Sequence, residues 1–316
     1  MKEIIDAVDP VLLEKELTFD KLLRKSNYGD NELYIVTYHD SPNVMNEIGR
    51  LREITFRAAG GGTGKDCDID SYDTQENPYK QLIVWDPESK SILGGYRFFN
   101  CAEAETDENG QMKIATGRLF QFSEKFVKEY LPYIIELGRS FVIPTHQSSR
   151  GSGKKLYALD NLWDGLGAIW ANVPTAKYFF GKVTMYPSYN TEARNILLYF
   201  IKKYFGDTDD LLIPLKPLTF HVDEEKMEAI LTGGSFQEDY KIVSQQVRNL
   251  GEVIPPLINS YINLSPSLRS FGTVLNDHFG EVEETAIMID VEDMYESKTE
   301  RHVKSFNEKE QGYDKF

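Results

Sequence analysis

Glu136 and Arg139 stand three residues apart inside Tyr133–Ile143, a run otherwise apolar and β-branched enough to be a buried strand. Charged groups are costly to bury there unless they are paired or put to use. A carboxylate so placed can accept a proton as a general base. A guanidinium can grip a substrate carboxylate through two parallel hydrogen bonds. Strand side chains alternate, so a regular pleat would send the two to opposite faces. A bulge at Gly138 would bring them to one side. The competing explanation is a structural ion pair.

Other residues invite chemistry with less force. Asp70-Ser71-Tyr72-Asp73, with Asp66 and Asp68 upstream, is a solvated acidic loop or a weak cation site. It lacks the Gly and distal Glu of an EF-hand. Gly60 to Lys65 has the look of a phosphate loop, but Ala59 stands where the first Gly is required and Asp66 where a hydroxyl is. It reads as a mobile loop. His146-Gln147-Ser148-Ser149-Arg150-Gly151-Ser152-Gly153-Lys154-Lys155 follows a strand and precedes a helix. Free N–H groups and the helix dipole make such a turn an anion site. Its spacing is one residue too long for the acetyltransferase pyrophosphate loop. His146 is a second candidate base or simply a polar strand end. Cys67 and Cys101 form no C-x-x-C pair, and there is no G-x-S-x-G elbow. Neither a thiol metal site nor a hydrolase triad is indicated.

The elements that must carry these residues alternate. Asp9-Pro10 caps a short helix to Leu17. Glu32–Tyr38 reads as a strand, and Ser41-Pro42 opens a helix with Ile48, Leu51 and Thr55 on one face. Gln81–Trp85 and Ile92–Phe99 are strands around a turn. Ser123 starts a helix through Tyr130. Leu156–Trp170 is a helix with Leu159, Leu162, Trp163 and Leu166 inward; Tyr178–Met185 is a strand and Thr191–Tyr204 a helix. This is α/β layering. Beyond Leu211 the pattern loosens, with one helical stretch over Phe236–Leu264, a strand at Ala286–Val291 and a charged, fraying end after Arg301. The expected domains are a lead-in (1–40), a core (41–210), a packed C-terminal extension (211–300) and a tail (301–316). The net charge of −15 argues against nucleic acid and broad adhesion to anionic membranes. Neither a signal peptide nor a spanning apolar run is present, so the expected location is the cytoplasm, with peripheral contact at the inner membrane left open.

Taken in order, Arg52 and Phe56, Asp70-x-x-Asp73, Arg97 in Gly94-Gly95-Tyr96-Arg97, and Glu136-x-x-Arg139 resemble the invariant series of acyl-homoserine-lactone synthases. The chain is more similar to the ornithine-lipid and glycine-lipid N-acyltransferases, often labelled hemolysin-like. That likeness adds Leu162-Trp163-x-Gly165-Leu166, Tyr178-x-Phe180-Gly181, Pro255-Pro256-Leu257 and Asp277-His278-Phe279-Gly280, and covers roughly Arg50 to Arg301.

The resemblance implies a GNAT-like α/β fold, a central mixed twisted sheet flanked by helices with a C-terminal extension. It implies an N-acyltransferase that moves a long-chain, 3-hydroxylated acyl group from acyl carrier protein to a small amino acid, glycine or ornithine-like, giving an aminolipid. No tightly bound cofactor or metal is implied; the donor is an acyl-phosphopantetheine thioester, on carrier protein or coenzyme A. In this reading Glu136 is the base, and backbone N–H groups near Gly138 meet the oxyanion. Arg139 and Arg97 hold the acceptor carboxylate or brace the acidic loop. Arg52 and Phe56, one helical turn apart and so on one face, pack over the cleft with Asp70 and Asp73. Arg150, Gly151, Gly153, Lys154 and Lys155 would hold the pantetheine phosphate. A synthase using S-adenosylmethionine and a non-catalytic acyl- or carrier-binding protein are the alternatives.

Overall fold

The computed structural model describes residues 1–108, 111–144, 157–220, 222–304 and 306. The first elements in chain order are α1 (Pro10–Glu16), β1 (Leu22–Lys25), β2 (Glu32–Val36), α2 (Pro42–Ala59), α3 (Ser71–Thr74), β3 (Lys80–Asp86), β4 (Ser91–Asn100), β5 (Phe120–Phe122), β6 (Ile134–Val142) and α4 (Ala158–Ala171). Then come β7 (Tyr178–Met185), α5 (Thr191–Phe205), β8 (Leu212–Pro214), α6 (Glu224–Ile230), α7 (Phe236–Asn249), α8 (Pro256–Ile262), β9 (Arg269–Asn276), β10 (Val282–Asp290) and α9 (Glu296–Thr299). The α/β class expected from the sequence holds. The chain forms two interleaved compact units: Met1–Glu103 with Tyr133–Lys177 and Tyr295–Phe316, and Ala104–Pro132 with Tyr178–Met294. No helix of the described residues is long and apolar enough to cross a membrane.

In the first unit β1, β2, β3, β4 and β6 pair antiparallel in that spatial order. Residues 81–86 of β3 are buried without alternation, because helices cover both faces of the sheet. Leu82 meets α4 at Gly165, where an added Cβ would lie 2.6 Å from the leucine Cδ2. Its neighbour Gln81 points the other way, to Arg52 of α2. This two-sided packing is what lets polar side chains sit on a fully buried sheet face.

Residues 300–304 and 306 belong to this unit. A helical turn at Glu300–Lys304 continues α9, and His302, Val303 and Phe306 are buried rather than splayed into solvent. His302 Nδ1 lies 2.8 Å from Oδ1 of the buried Asp164 on α4. Asn27 donates to both oxygens of that carboxylate, from its side chain and its backbone N–H. Gly167 is small because the His302 carbonyl passes within 2.2 Å of where its Cβ would be. A buried carboxylate with several partners, not an apolar stripe, anchors this segment.

In the second unit β7, β10 and β9 pair antiparallel, and β5 pairs with β8. Phe126, Phe180 and Phe271 form an aromatic cluster with centroids 5.5–6.3 Å apart. The helix expected from Ser123 is real but wound wide over Phe126–Tyr130, with the Ser123 hydroxyl accepting from Phe126 N. The single helical stretch expected over Phe236–Leu264 is instead two helices, α7 and α8. Gly251 with φ +81 and Pro255-Pro256 break it, since a proline cannot donate to the preceding turn.

Candidate active site

The site lies within the first unit and is built around α2. Asp68 N donates to Gly49 O at 3.0 Å, threading the segment after the Gly-rich loop along the helix. Only Gly fits at 49: a Cβ there would meet Cys67 Sγ at 2.4 Å. Arg52, fully buried, emerges one turn later. It donates to Asp68 O, to both oxygens of Asp73 and to Gln81 Oε1. Phe56 is buried a further turn along.

The Gly-rich loop is tied down, contrary to the mobile loop read from the sequence. The Glu53 carboxylate accepts from Thr63 N at 3.1 Å, Thr63 Oγ1 at 2.8 Å, Gly64 N at 2.7 Å and Arg57 Nε at 2.8 Å. The amides that would cradle a phosphate hold a carboxylate of the preceding helix.

Asp70 caps α3 by accepting from Tyr72 N, and Asp73 reaches back to Asp70 N at 3.1 Å, closing a capping box. Both carboxylates also meet Arg97 of β4, whose Nη1 lies 2.9 Å from each Asp70 oxygen and 3.5 Å from Asp73. Burial alone would raise the Asp70 carboxyl, but Arg97 and Arg139 outweigh it and hold it well below the usual carboxylate range. That stability is present above about pH 4 and is lost as pH falls through the lowered value. Burial would likewise lower Arg97, and Asp73 and Asp70 more than reverse it.

Register decides what shares the face. Gln81 pairs with Arg97, Arg97 with Gly138 and Phe99 with Glu136, so these side chains project together. Between Gly95↔Phe141 and Arg97↔Gly138 the ladder slips, leaving Arg139 and Ser140 opposite Tyr96 alone. Arg139 takes φ +49, a left-handed conformation costly for any residue with a Cβ. The slip turns Arg139 to the acidic loop: its Nε is 2.8 Å from Asp68 Oδ2 and its Nη2 3.8 Å from Asp70. A Cβ on Gly138 would lie 3.4 Å from Arg97 Nε, in ordinary contact, so the glycine sits directly beside that guanidinium.

Glu136 is 1% exposed and accepts from the hydroxyl of Tyr79, itself fully buried. Cys101 lies beside it; burial and then Glu136 push its thiol well up, which suits no nucleophile. Arg52, Asp70, Asp73, Arg97, Gly138, Arg139 and Glu136 thus come together as three arginines against four carboxylates with Asp68. Arg97 is 4% exposed and its Nη1 already serves both Asp70 oxygens; Arg139 keeps 17% of its side chain exposed. Asp68, Tyr79 and Gln81 belong to this network although the sequence reading did not place them in the site. The loop from His146 to Lys155, with Arg150, Gly151, Gly153 and Lys154, lies outside the described residues.

Residues 51–154, which contain Arg52, Asp68, Asp70, Asp73, Tyr79, Gln81, Arg97, Glu136 and Arg139, match the acetyltransferase (GNAT) domain family. The protein is an acyltransferase. Two curated proteins are similar over nearly their whole lengths. The glycine N(alpha)-acyltransferase of Phocaeicola vulgatus is 56% identical over 97% of this chain and 94% of its own. That of Bacteroides thetaiotaomicron is 54% identical over 98% and 91%. The chain belongs to their family. Among solved structures, the AHL synthase LasI aligns with a TM-score of 0.40 and 13% identity over 82% of this chain and 89% of that one. FeeM, an N-acyl amino acid synthase from uncultured soil microbes, aligns at 0.40 and 10% over 83% and 93%.

Proposed function

We propose that the chain transfers a long-chain, 3-hydroxylated acyl group from the pantetheine thioester of acyl carrier protein to the amine of glycine, giving an N-acyl glycine lipid. The observation that carries the reading is the buried Glu136 beside a bulged strand, on one face with arginines that can orient a carboxylate. The two curated relatives are named for glycine, and the chain spans 94% and 91% of their lengths.

Transfer is direct aminolysis. The acceptor ammonium loses a proton to Glu136, directly or through one water. The free amine attacks the thioester carbonyl; the N–C bond forms, the C–S bond breaks and the carrier thiol leaves. Backbone N–H groups withdrawn from the ladder near Gly138 are suited to the developing oxyanion. Arg139, partly exposed, is the guanidinium better placed for the acceptor carboxylate. Arg97, committed to Asp70 and Asp73, serves as the brace of the acidic loop.

The test is expression in a bacterium followed by mass spectrometry of its lipids, with purified enzyme offered glycine, serine and ornithine in parallel. Accumulation of N-acyl glycine is expected. Preferential acylation of ornithine would overturn the acceptor; no new lipid and no thioester consumption would overturn the reaction.

Replacing Lys154 and Lys155 together with Glu tests the donor. Carrier protein is acidic and this chain carries −15, so docking needs a local basic patch, which screening beyond about 8 Å permits. The double reversal is expected to raise KM for acylated carrier at least several-fold and to change turnover at saturation much less. Equal efficiency with acyl-coenzyme A, or indifference to the reversal, would refute the carrier.

A further inference from the structure

The residue behind Glu136 is as constrained as Glu136 itself. Tyr79 precedes β3 and is held from several sides. Its N–H donates to Tyr72 O at 2.8 Å, and Gln81 Nε2 donates to its carbonyl at 3.0 Å. Its ring stacks on Phe99 at 4.8 Å, meets the edge of Tyr72 at 5.4 Å and lies under the Arg97 guanidinium at 5.2 Å. None of these contacts involves Glu136, so the hydroxyl is delivered to a fixed point whatever the carboxylate does. At that point it donates to Glu136 Oε2.

We propose that Tyr79 is a positioning residue for acyl transfer, its hydroxyl holding the Glu136 carboxylate in the orientation that meets the acceptor amine. This rests on the reading of Glu136 as the proton acceptor. A donor on one oxygen fixes the plane of the carboxylate and leaves its other oxygen to meet the ammonium. The donor must not give up its own proton, and here burial first, then Glu136, keeps the phenol well above its ordinary range. The titratable groups around the pair include Tyr72, whose ring meets the edge of Tyr79, Cys101, whose thiol stays neutral, and Arg97, whose charge is balanced by Asp70 and Asp73.

The test compares wild type, Tyr79→Phe, Glu136→Gln and the double variant in thioester transfer to glycine. Phe keeps the ring, the stacking and the support of Arg97, so KM for glycine is expected to hold. Turnover should fall about tenfold, the worth of one hydrogen bond to a charged group. In the Glu136→Gln background, Tyr79→Phe should cost nothing further. If Tyr79→Phe does not fold, 3,5-difluorotyrosine at 79, a donor of the same shape, is expected to keep turnover near that of wild type, and a tenfold loss with it would overturn the role. Unchanged turnover in the folded Phe variant, or losses that multiply in the double variant, would overturn the role of Tyr79 alone. Full activity in Glu136→Gln would overturn the proton-acceptor reading and Tyr79 with it.

Discussion

Glu136→Gln is expected to lower turnover at neutral pH by about 10²–10⁴-fold, the usual worth of a positioned general base. The structure makes this a clean substitution. Gln has the same shape and keeps a carbonyl oxygen to accept from the Tyr79 hydroxyl. Its neutrality removes a buried charge rather than adding one, so the melting temperature should change little. The pH dependence separates this loss from simple misplacement. An amino acid is almost wholly ammonium at pH 7, and without a base only the small free-amine fraction reacts. The variant's rate should therefore climb with pH, and the gap to wild type should narrow in alkaline buffer. A variant fully active at neutral pH would place the base elsewhere, with His146 the next candidate.

How far this site could be read from sequence depends on where each residue's partner lies. Pro42–Ala59 and Tyr178–Met185 were legible almost to their ends, because a periodic apolar face and a β-branched run are local signals. Glu136 and Arg139 were legible for the same reason, as charges that an apolar strand could not otherwise tolerate. The spacing allowed either a regular pleat or a bulge at Gly138; the slip falls on the next two residues, Arg139 and Ser140. Gln81 and Tyr79 carry no such mark. Their roles come from register, which sets Gln81 against Arg97 and brings Tyr79 to a carboxylate 57 residues away. Asp68 sat in a run of four acidic residues that composition could not tell apart; a backbone contact with Gly49 selects it for burial. The same limit explains β9, where Gly272 and alternating polar residues weaken the strand signal and pairing with β10 supplies the rest. It also explains the turn at Glu300–Lys304, which His302 and Asn27 fasten to the buried Asp164.

Arg52→Ala is expected to produce the largest loss of stability of any single change in the site, about 3–5 kcal/mol, because it removes one partner of a buried ion pair and leaves the other in place. Arg52 is fully buried, and it is the only described side chain that binds Asp68 O, Asp73 and Gln81 together. Without it Gln81 loses its donor, and Asp73 keeps only the longer approach of Arg97 and the amides of Gln81 and Asp70. Arg52→Lys should recover part of the loss. It keeps the charge, but an ammonium cannot serve the three acceptors with the planar fork that a guanidinium offers. The decisive comparison adds Asp73→Asn to Arg52→Met. If uncompensated charge causes the loss, the pair should be more stable than Arg52→Met alone, although two native groups are then missing. If the loss is a cavity effect, the second substitution should make matters worse. Denaturant midpoints of Arg52→Met and of the double variant decide between the two. Turnover per folded molecule separates support from contact with substrate. Arg52 braces the acidic loop from beneath, so its loss should scatter Asp70 and Asp68, and through them Arg97 and Arg139. KM for glycine should then rise in Arg52→Lys before kcat falls.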